Sequence, residues 1–448
     1  MTPSAPAVRS ARVRYFTLLG LRWVPTGLFI TVFVLLMRER GLSLAQIGVA
    51  TAAQGLVMLF LELPSGGLAD AWGRKRVLVV AGAVGLAASV LVLLADTVLL
   101  LALASGLQGV FRALDSGPLE AWFVDRLVAE DPDVELEREL GWGDVVICGA
   151  IGLGALLAGL IVALDGVGEV DPLVVPLLVG LVVQVVGLVA VVVLLDDVRA
   201  SRRAGGPEAR LEVTTSSGPA RDAVGGDERD EVQVGLGVVA VVVREAVGVI
   251  RASRLLTALV VGELLWGFGM IAFEVLMPPR LAEVSGGFDA AAAMLGPAAG
   301  AAWVLSASGA ALAPVLVRRW GAAWTGFGLR LLHGATVVAM GLATGPVGLI
   351  AAYLATYGVH GATGPVHYGM VHRAVESAHR ATVVSANSLA AQVGGAASGI
   401  ALGALADATS ISTAMFVSAG FLAAAAPLYL VGRSTAPTTA EEPIPINL

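Results

Sequence analysis

Ionisable side chains inside long apolar runs are the residues of this 448-residue sequence best placed to do chemistry. A charge at membrane depth is costly, so those that persist mark paths for protons, ions or polar solutes. In the run from about 98 to 122, Ser105, Gln108, Arg112 and Asp115 follow i, i+3, i+7, i+10 spacing and share one helix face. Arg112 and Asp115 can partly neutralise each other there. Glu263, Trp266, Met270 and Glu274 form a second stripe between 255 and 277, and Tyr353, Tyr357, His360, Gly364 and His367 a third between 347 and 370. The first run contributes Arg22, with Thr26 one turn on. So near the helix start, Arg22 either joins the stripes or snorkels to the interface. Glu62 and Glu274 stand close to the ends of their runs. Arg112, Asp115 and Glu263 are therefore the candidates for interior proton or solute exchange, with Arg22, Gln108, Trp266, Tyr357 and His360 around them. Arg330 and His333 read instead as structural or snorkelling.

Scarcity excludes other chemistries. The only lysine is Lys75, followed by Arg76, so no phosphate-binding G-K-[ST] signature exists and ATP is not an expected energy source. The only cysteine, Cys148, precludes an intrachain disulfide and a Cys-pair metal site, and reads as a small buried side chain. His360 and His367 are two turns apart, too far for the i, i+4 ligation of a zinc helix. No nucleophile–base pair emerges, so neither an enzyme nor a metal or organic cofactor is expected. A net charge of −7 without a basic block gives nucleic acid nothing to hold.

The elements that must position these residues are membrane helices. At 14% charged and 57% hydrophobic, the chain falls well below the roughly 25% charge of soluble domains. Twelve apolar runs lie near 16–37, 46–65, 77–95, 98–122, 144–164, 173–195, 255–277, 291–316, 325–344, 347–370, 382–406 and 411–431. Most reach the roughly 20 residues a spanning helix needs. The first, behind Arg9, Arg12 and Arg14, is too long for a signal-peptide core, and no small-residue cleavage site follows it. With the N-terminus inside, most of the 28 Arg and Lys fall on the cytoplasmic side, leaving Arg38, Arg40 and Arg280 outside. Both termini are therefore expected in the cytoplasm.

The expected fold class is an all-α polytopic membrane protein of 12 transmembrane helices. Residues 1–195 form an N-terminal six-helix half and 255–434 a C-terminal one. Residues 196–254 read as a cytoplasmic linker. Its part across 234–253 is either a thirteenth span or, as the interspersed Arg244, Glu245 and Arg251 favour, a helix lying in the cytoplasmic interface. Residues 435–448 read as a disordered cytoplasmic tail.

An internal repeat supports the two halves. Ser116-Gly117-Pro118 through Arg126 aligns with Thr363-Gly364-Pro365 through Arg373 at an offset of 247. Arg138 and Gly152 correspond to Arg380 and Gly394 at 242, and Ser65-Gly66 to Ser308-Gly309 at 243. Parallel halves of this kind place a binding site between them near the midplane.

Gly66-Gly67-Leu68-Ala69-Asp70-Ala71-Trp72-Gly73-Arg74-Lys75-Arg76 occupies the hairpin between the second and third runs. Its glycines permit tight turning, and an acid before a basic cluster suits ion pairing near a helix terminus. The segment resembles the G-x-L-A-D-R-x-G-R-K/R signature of the major facilitator superfamily, departing at Ala71, where a basic residue is usual. Glu62-Leu63-Pro64-Ser65-Gly66 just upstream resembles a variant common in bacterial members. The resemblance covers about residues 15–431 and implies halves related by a pseudo-twofold axis along the membrane normal. Spans one, four, seven and ten would line the central cavity. The motif, with Gly66, Asp70, Gly73, Arg74 and Asp125, would be a conformational latch. By resemblance Asp70 faces the start of the eleventh helix near Thr382 and Arg74 pairs with Asp125, closing the cytoplasmic side. His372 at the position matching Asp125 implies a weaker or pH-dependent latch in the second half.

The same resemblance implies secondary active transport of a small molecule by alternating access, with protons as the coupling ion. The chain would act as a monomer in the bilayer of the bacterial inner membrane. Bacterial drug-efflux members are the nearest pattern, which means proton-coupled export of a hydrophobic or amphipathic compound beside Trp266, Phe268, Trp303 and Tyr357. Two departures weigh against that subtype. The exporter pattern R-x-x-Q-G appears as Ser105-Gly106-Leu107-Gln108-Gly109 without its arginine, and the fifth-run antiporter pattern lacks its Gly-Pro. The alternatives are a proton symporter or facilitator, with Arg22 or Arg112 holding an anionic nutrient or metabolite, and a non-transporting membrane sensor or scaffold.

Overall fold

Apolar runs of this length fold as helices because hydrocarbon offers no hydrogen bonds, so each backbone group must find its partner within its own segment. The computed structural model describes residues 5–130, 134–164, 169–196, 248, 250–375 and 380–435. Most of the expected linker with its interfacial helix, and the tail from 436 on, lie outside the described residues.

The N half contains α1 (Ala5–Glu39), α2 (Leu44–Trp72), α3 (Arg74–Leu94), α4 (Val98–Asp115), α5 (Pro118–Glu130), α6 (Leu136–Ala163) and α7 (Val175–Leu194). The C half contains α8 (Arg254–Glu274), α9 (Met277–Ser285), α10 (Phe288–Trp320), α11 (Ala322–Leu342), α12 (Pro346–Ala374), α13 (Arg380–Ala408) and α14 (Ile411–Ala424), followed by a 3-10 segment, Ala426–Thr435. Counting α4–α5, α8–α9 and α14 with its 3-10 extension as single spans gives twelve, in two six-helix halves. Among the described residues, nine helices are long and apolar enough to cross a membrane by length and composition alone. The α11 and α12 helices fall short because they carry Arg330, His333, His360 and His367.

Local signals set the helix ends. Ser43 and Gln46 cap α2 reciprocally: Ser43 Oγ accepts from the Gln46 amide at 3.2 Å and Gln46 Oε1 from the Ser43 amide at 2.8 Å. Thr97, Ser253 and Ser410 cap α4, α8 and α14. The fourth span is not the unbroken helix expected over 98–122. It breaks at Ser116-Gly117, where Gly117 takes φ 93°. The aligned Gly364-Pro365 stays inside α12, so the two copies of this sequence motif fold differently.

The repeat is nonetheless physical. In the N half, α1 crosses α6 so closely that a Cβ on Gly27 would meet the Ile151 carbonyl, and one on Gly154 the Val24 carbonyl. Gly267 and Gly394, each 240 residues further on, make the same crossing between α8 and α13 against Ala391 and Leu264. Arg40 donates to the carbonyls of Val92, Leu93 and Ala95 at the end of α3. Arg280, again 240 residues on, donates to Ala343 at the end of α11. A cation on exposed helix carbonyls satisfies them and suits the negative end of the helix dipole.

The two halves meet through α6 against α10, at Gly159 and Gly296, and α2 against α13, at Gly48 and Gly399. Both approaches lie toward the end of the bundle that carries Arg40. The largest apolar cluster is there too and draws on both halves, from Val32–Met37 and Leu44 to Leu281, Leu295 and Leu402. At the opposite end, near Arg74, the apolar clusters belong to one half each. The bundle is thus sealed at the Arg40 end, and among the described residues no apolar cluster is shared by the two halves at the Arg74 end.

Candidate functional site

In the N half, the charges pair across helices and not along one. Arg22 on α1 forms an ion pair with the Asp115 carboxylate, and its Nη2 also donates to the Asp115 backbone oxygen at 3.1 Å. That carbonyl lies at the end of α4, where the Gly117 break leaves it without a helical partner. The expected neutralisation of Asp115 by Arg112 is therefore corrected: Arg22 takes that place, and does not snorkel. Both partners retain some accessibility at mid-bundle, 17% and 15%. The Arg112 guanidinium instead lies 5.4 Å from the centre of the Trp23 ring, held by the ring face. Among the described residues no carboxylate pairs with it. Gln108 is half-buried one turn away on α4.

In the C half, Glu263 is not an open cavity acid. It is 5% exposed, and its Oε2 lies 3.2 Å from Arg330 Nη2 and 3.5 Å from His367 Nε2. Arg330, 1% exposed, donates from Nε and Nη2 to the Tyr429 hydroxyl at 3.1 and 2.9 Å. His367 Nδ1 lies 2.8 Å from the same hydroxyl, and its Nε2 3.1 Å from Asn387 Oδ1. Arg330 therefore does not snorkel; of the two readings left open for it, the structural one holds. It is the counter-charge of Glu263, and the network ties α8, α11, α12, α13 and the 3-10 segment together.

A second C-half group gathers aromatic rings around Glu274. Trp266 and His360 are half-buried and stack at 5.6 Å. The Tyr357 hydroxyl donates to Glu274 Oε1 at 2.7 Å, with Trp303 and Tyr353 packed on the same ring. Glu274 is accessible although Tyr357 is 4% exposed. It is an accessible acid that its position near the end of its run had set aside. Trp266 Nε1, His360 Nδ1 and both ring nitrogens of His333 have no hydrogen-bond partner among the described residues, which leaves hydrogen-bonding capacity in this group.

At the Arg74 end, Arg74 Nη1 lies 2.7 Å from Asp125 Oδ2. This pair lies inside the N half, so it braces α3 against α5 without bridging the halves. Gly66 and the side chain of Asp70, like the start of α13 near Thr382, lie outside the side-chain description; Gly73, at φ 94°, makes the turn between α2 and α3.

Residues 16–366 match the family model of the Major Facilitator Superfamily. The chain belongs to that superfamily. This facilitator is a multi-pass membrane transporter that works by alternating access, and not an enzyme. A crystal structure of the nucleoside transporter NupG superposes with a TM-score of 0.71 at 13% identity, covering 94% of this chain and 98% of that one. A single-site mutant of NupG gives 0.73 at 14%, covering 94% and 99%. A bacterial homolog of the human lysosomal transporter Spinster, inward-facing and occupied, gives 0.69 at 17%, covering 97% and 98%. At these identities the likeness is one of fold. No curated protein matches the chain.

Three members of the Glu263 network, Arg330, Tyr429 and Asn387, were not read as its partners in the sequence. Arg330 was visible as a charge inside an apolar run, and pairing of intramembrane charges predicts a base for every buried acid. Tyr429 and Asn387 had no such signal.

Proposed function

We propose that this facilitator carries a small amphipathic molecule with an anionic group, and that a proton travels with it. The observation that carries the reading is the Arg22–Asp115 pair beside Arg112, which no carboxylate pairs with among the described residues. With Asp115 ionised, Arg22 is occupied. Protonating Asp115 frees Arg22, so two guanidiniums become available to one anionic group, and proton and cargo bind and leave together. Trp23, Trp266, Trp303 and Tyr357 supply the apolar surface for the rest of the cargo. In this reading the Arg74 end and both termini face the cytoplasm, the membrane is the bacterial inner membrane, and the monomer is the working unit.

A second reading, proton-coupled export of a hydrophobic compound, is favoured by the accessible Glu274 held by Tyr357. An acid among aromatic rings suits a cationic amphiphile, and cargo and proton would then compete for it.

Proteoliposomes under an imposed pH gradient separate the two. Radiolabelled aromatic carboxylates, nucleosides and cationic dyes form the panel. The symport reading expects uptake of an anionic compound accelerated by inward protons, and loss of that acceleration, with cargo exchange retained, in Asp115→Asn. Acceleration that survives Asp115→Asn refutes the role of this pair. Dye movement against protons, abolished by Glu274→Gln, selects the exporter.

A further inference from the structure

One carboxylate joins the halves at the Arg40 end. Asp407 stands at the end of α13 in the C half, and its oxygens accept from the first two backbone amides of α2 in the N half. Oδ1 lies 3.1 Å from the Leu44 nitrogen and Oδ2 2.8 Å from the Ala45 nitrogen. Arg38 Nη1, near the end of α1, is 3.6 Å from Oδ1. The first N–H groups of a helix have no partner of their own. At α2 the cap from Ser43 takes the Gln46 amide, so those of Leu44 and Ala45 are left for a group from outside. A carboxylate also meets the positive end of the helix dipole there. The approach is possible because small residues let the helices nearly touch just below. A Cβ on Gly48 would land on the Gly399 carbonyl, and one on Gly403 on the backbone of Leu44 and Ala45.

Neighbouring charged contacts differ in kind. Arg40 caps α3 and Arg280 caps α11, each within its own half. Asp407 alone of these three reaches across. Alternating access requires the Arg40 end to open in the opposite state, and the contacts of Arg40 and Arg280 survive that opening while those of Asp407 do not.

We propose that Asp407 is the releasable catch of the Arg40-end gate. It holds this end shut in the state described here, and cargo passes that end only after the carboxylate leaves the α2 amides and Arg38. Asp407 touches no cargo; it positions the halves. The proposal is independent of which solute is carried and of what drives it.

The test uses the full chain in lipid nanodiscs, with Cys148→Ser and spin labels at Asp96→Cys and Thr344→Cys, in the α3–α4 and α11–α12 turns, one in each half at the Arg40 end. Pulsed electron paramagnetic resonance reads the distance between them. Losing a helix cap and an ion pair amounts to one or two kcal/mol, so Asp407→Ala should raise the ratio of open to closed populations roughly 5- to 30-fold. Asp407→Asn, which keeps the side-chain shape and one acceptor, should shift it in the same direction by less. Ser43→Asp is then added to Asp407→Ala, giving α2 a carboxylate cap from its own half. That variant should recover the melting temperature and stay open. An unchanged distance distribution in both Asp407 variants overturns the catch. So does closure restored by Ser43→Asp, which would reduce Asp407 to an ordinary helix cap.

Discussion

Replacing Glu263 by leucine should harm this protein more than replacing Glu263 and Arg330 together. The side chains of Arg330 and Glu263 are 2% and 7% exposed, so neither can turn to water when the other is lost. Glu263→Leu leaves the guanidinium with the Tyr429 hydroxyl at 2.9 and 3.1 Å and no counter-charge. Breaking a buried pair from one side costs about 3–5 kcal/mol, whereas exchanging both partners for apolar residues is often near neutral. At roughly 2 °C per kcal/mol for a chain of this size, the single variant should melt about 6–10 °C lower. Glu263→Leu with Arg330→Met should recover most of that loss, giving a coupling of about 2 kcal/mol or more in a double-mutant cycle. Tryptophan fluorescence of detergent-solubilised protein during heating reads all four corners. A single variant that melts within about 1 °C of the parent, or a double variant that loses the sum of the two, would show that Arg330 is solvated or neutralised elsewhere.

Arg40→Ala should cost more than Arg280→Ala, because Arg40 serves three carbonyls and Arg280 serves one along with Glu283. About 1–3 kcal/mol for Arg40 is expected in chemical denaturation, and equal losses would contradict the capping account. Gly154→Val and Gly394→Val should each abolish well-folded protein on size-exclusion chromatography, since each new side chain meets a backbone carbonyl of the crossing helix. Gly20→Val, with nothing within 4 Å, should be tolerated. Arg112→Gln should raise KM for an anionic cargo by roughly 10-fold or more while the melting temperature holds, because among the described residues no carboxylate pairs with it.

The spans were legible because a bilayer enforces long apolar helices whatever they pack against. Even α11 and α12, diluted by Arg330, His333, His360 and His367, kept enough apolar length to be read. The repeat was legible at Ser116-Gly117-Pro118, yet its most literal structural copies are Gly27 with Gly154 and Gly267 with Gly394, at an offset of 240, whereas the sequence alignment matched Gly394 with Gly152. The stripe containing Arg112 and Asp115 was read on the correct helix and assigned the wrong partner.

Residue pattern decides which segments cross the membrane, that they form two parallel halves, and which side chains share a face of one helix. Helical periodicity carries that information locally. Which charge meets which was settled only in three dimensions. Arg22 and Asp115 are 93 positions apart, Glu263 and Arg330 67, and Ala45 and Asp407 362. Such pairs depend on how neighbouring helices rotate and cross, and that is set by small residues at the crossings, where a single Cβ decides how near two backbones come.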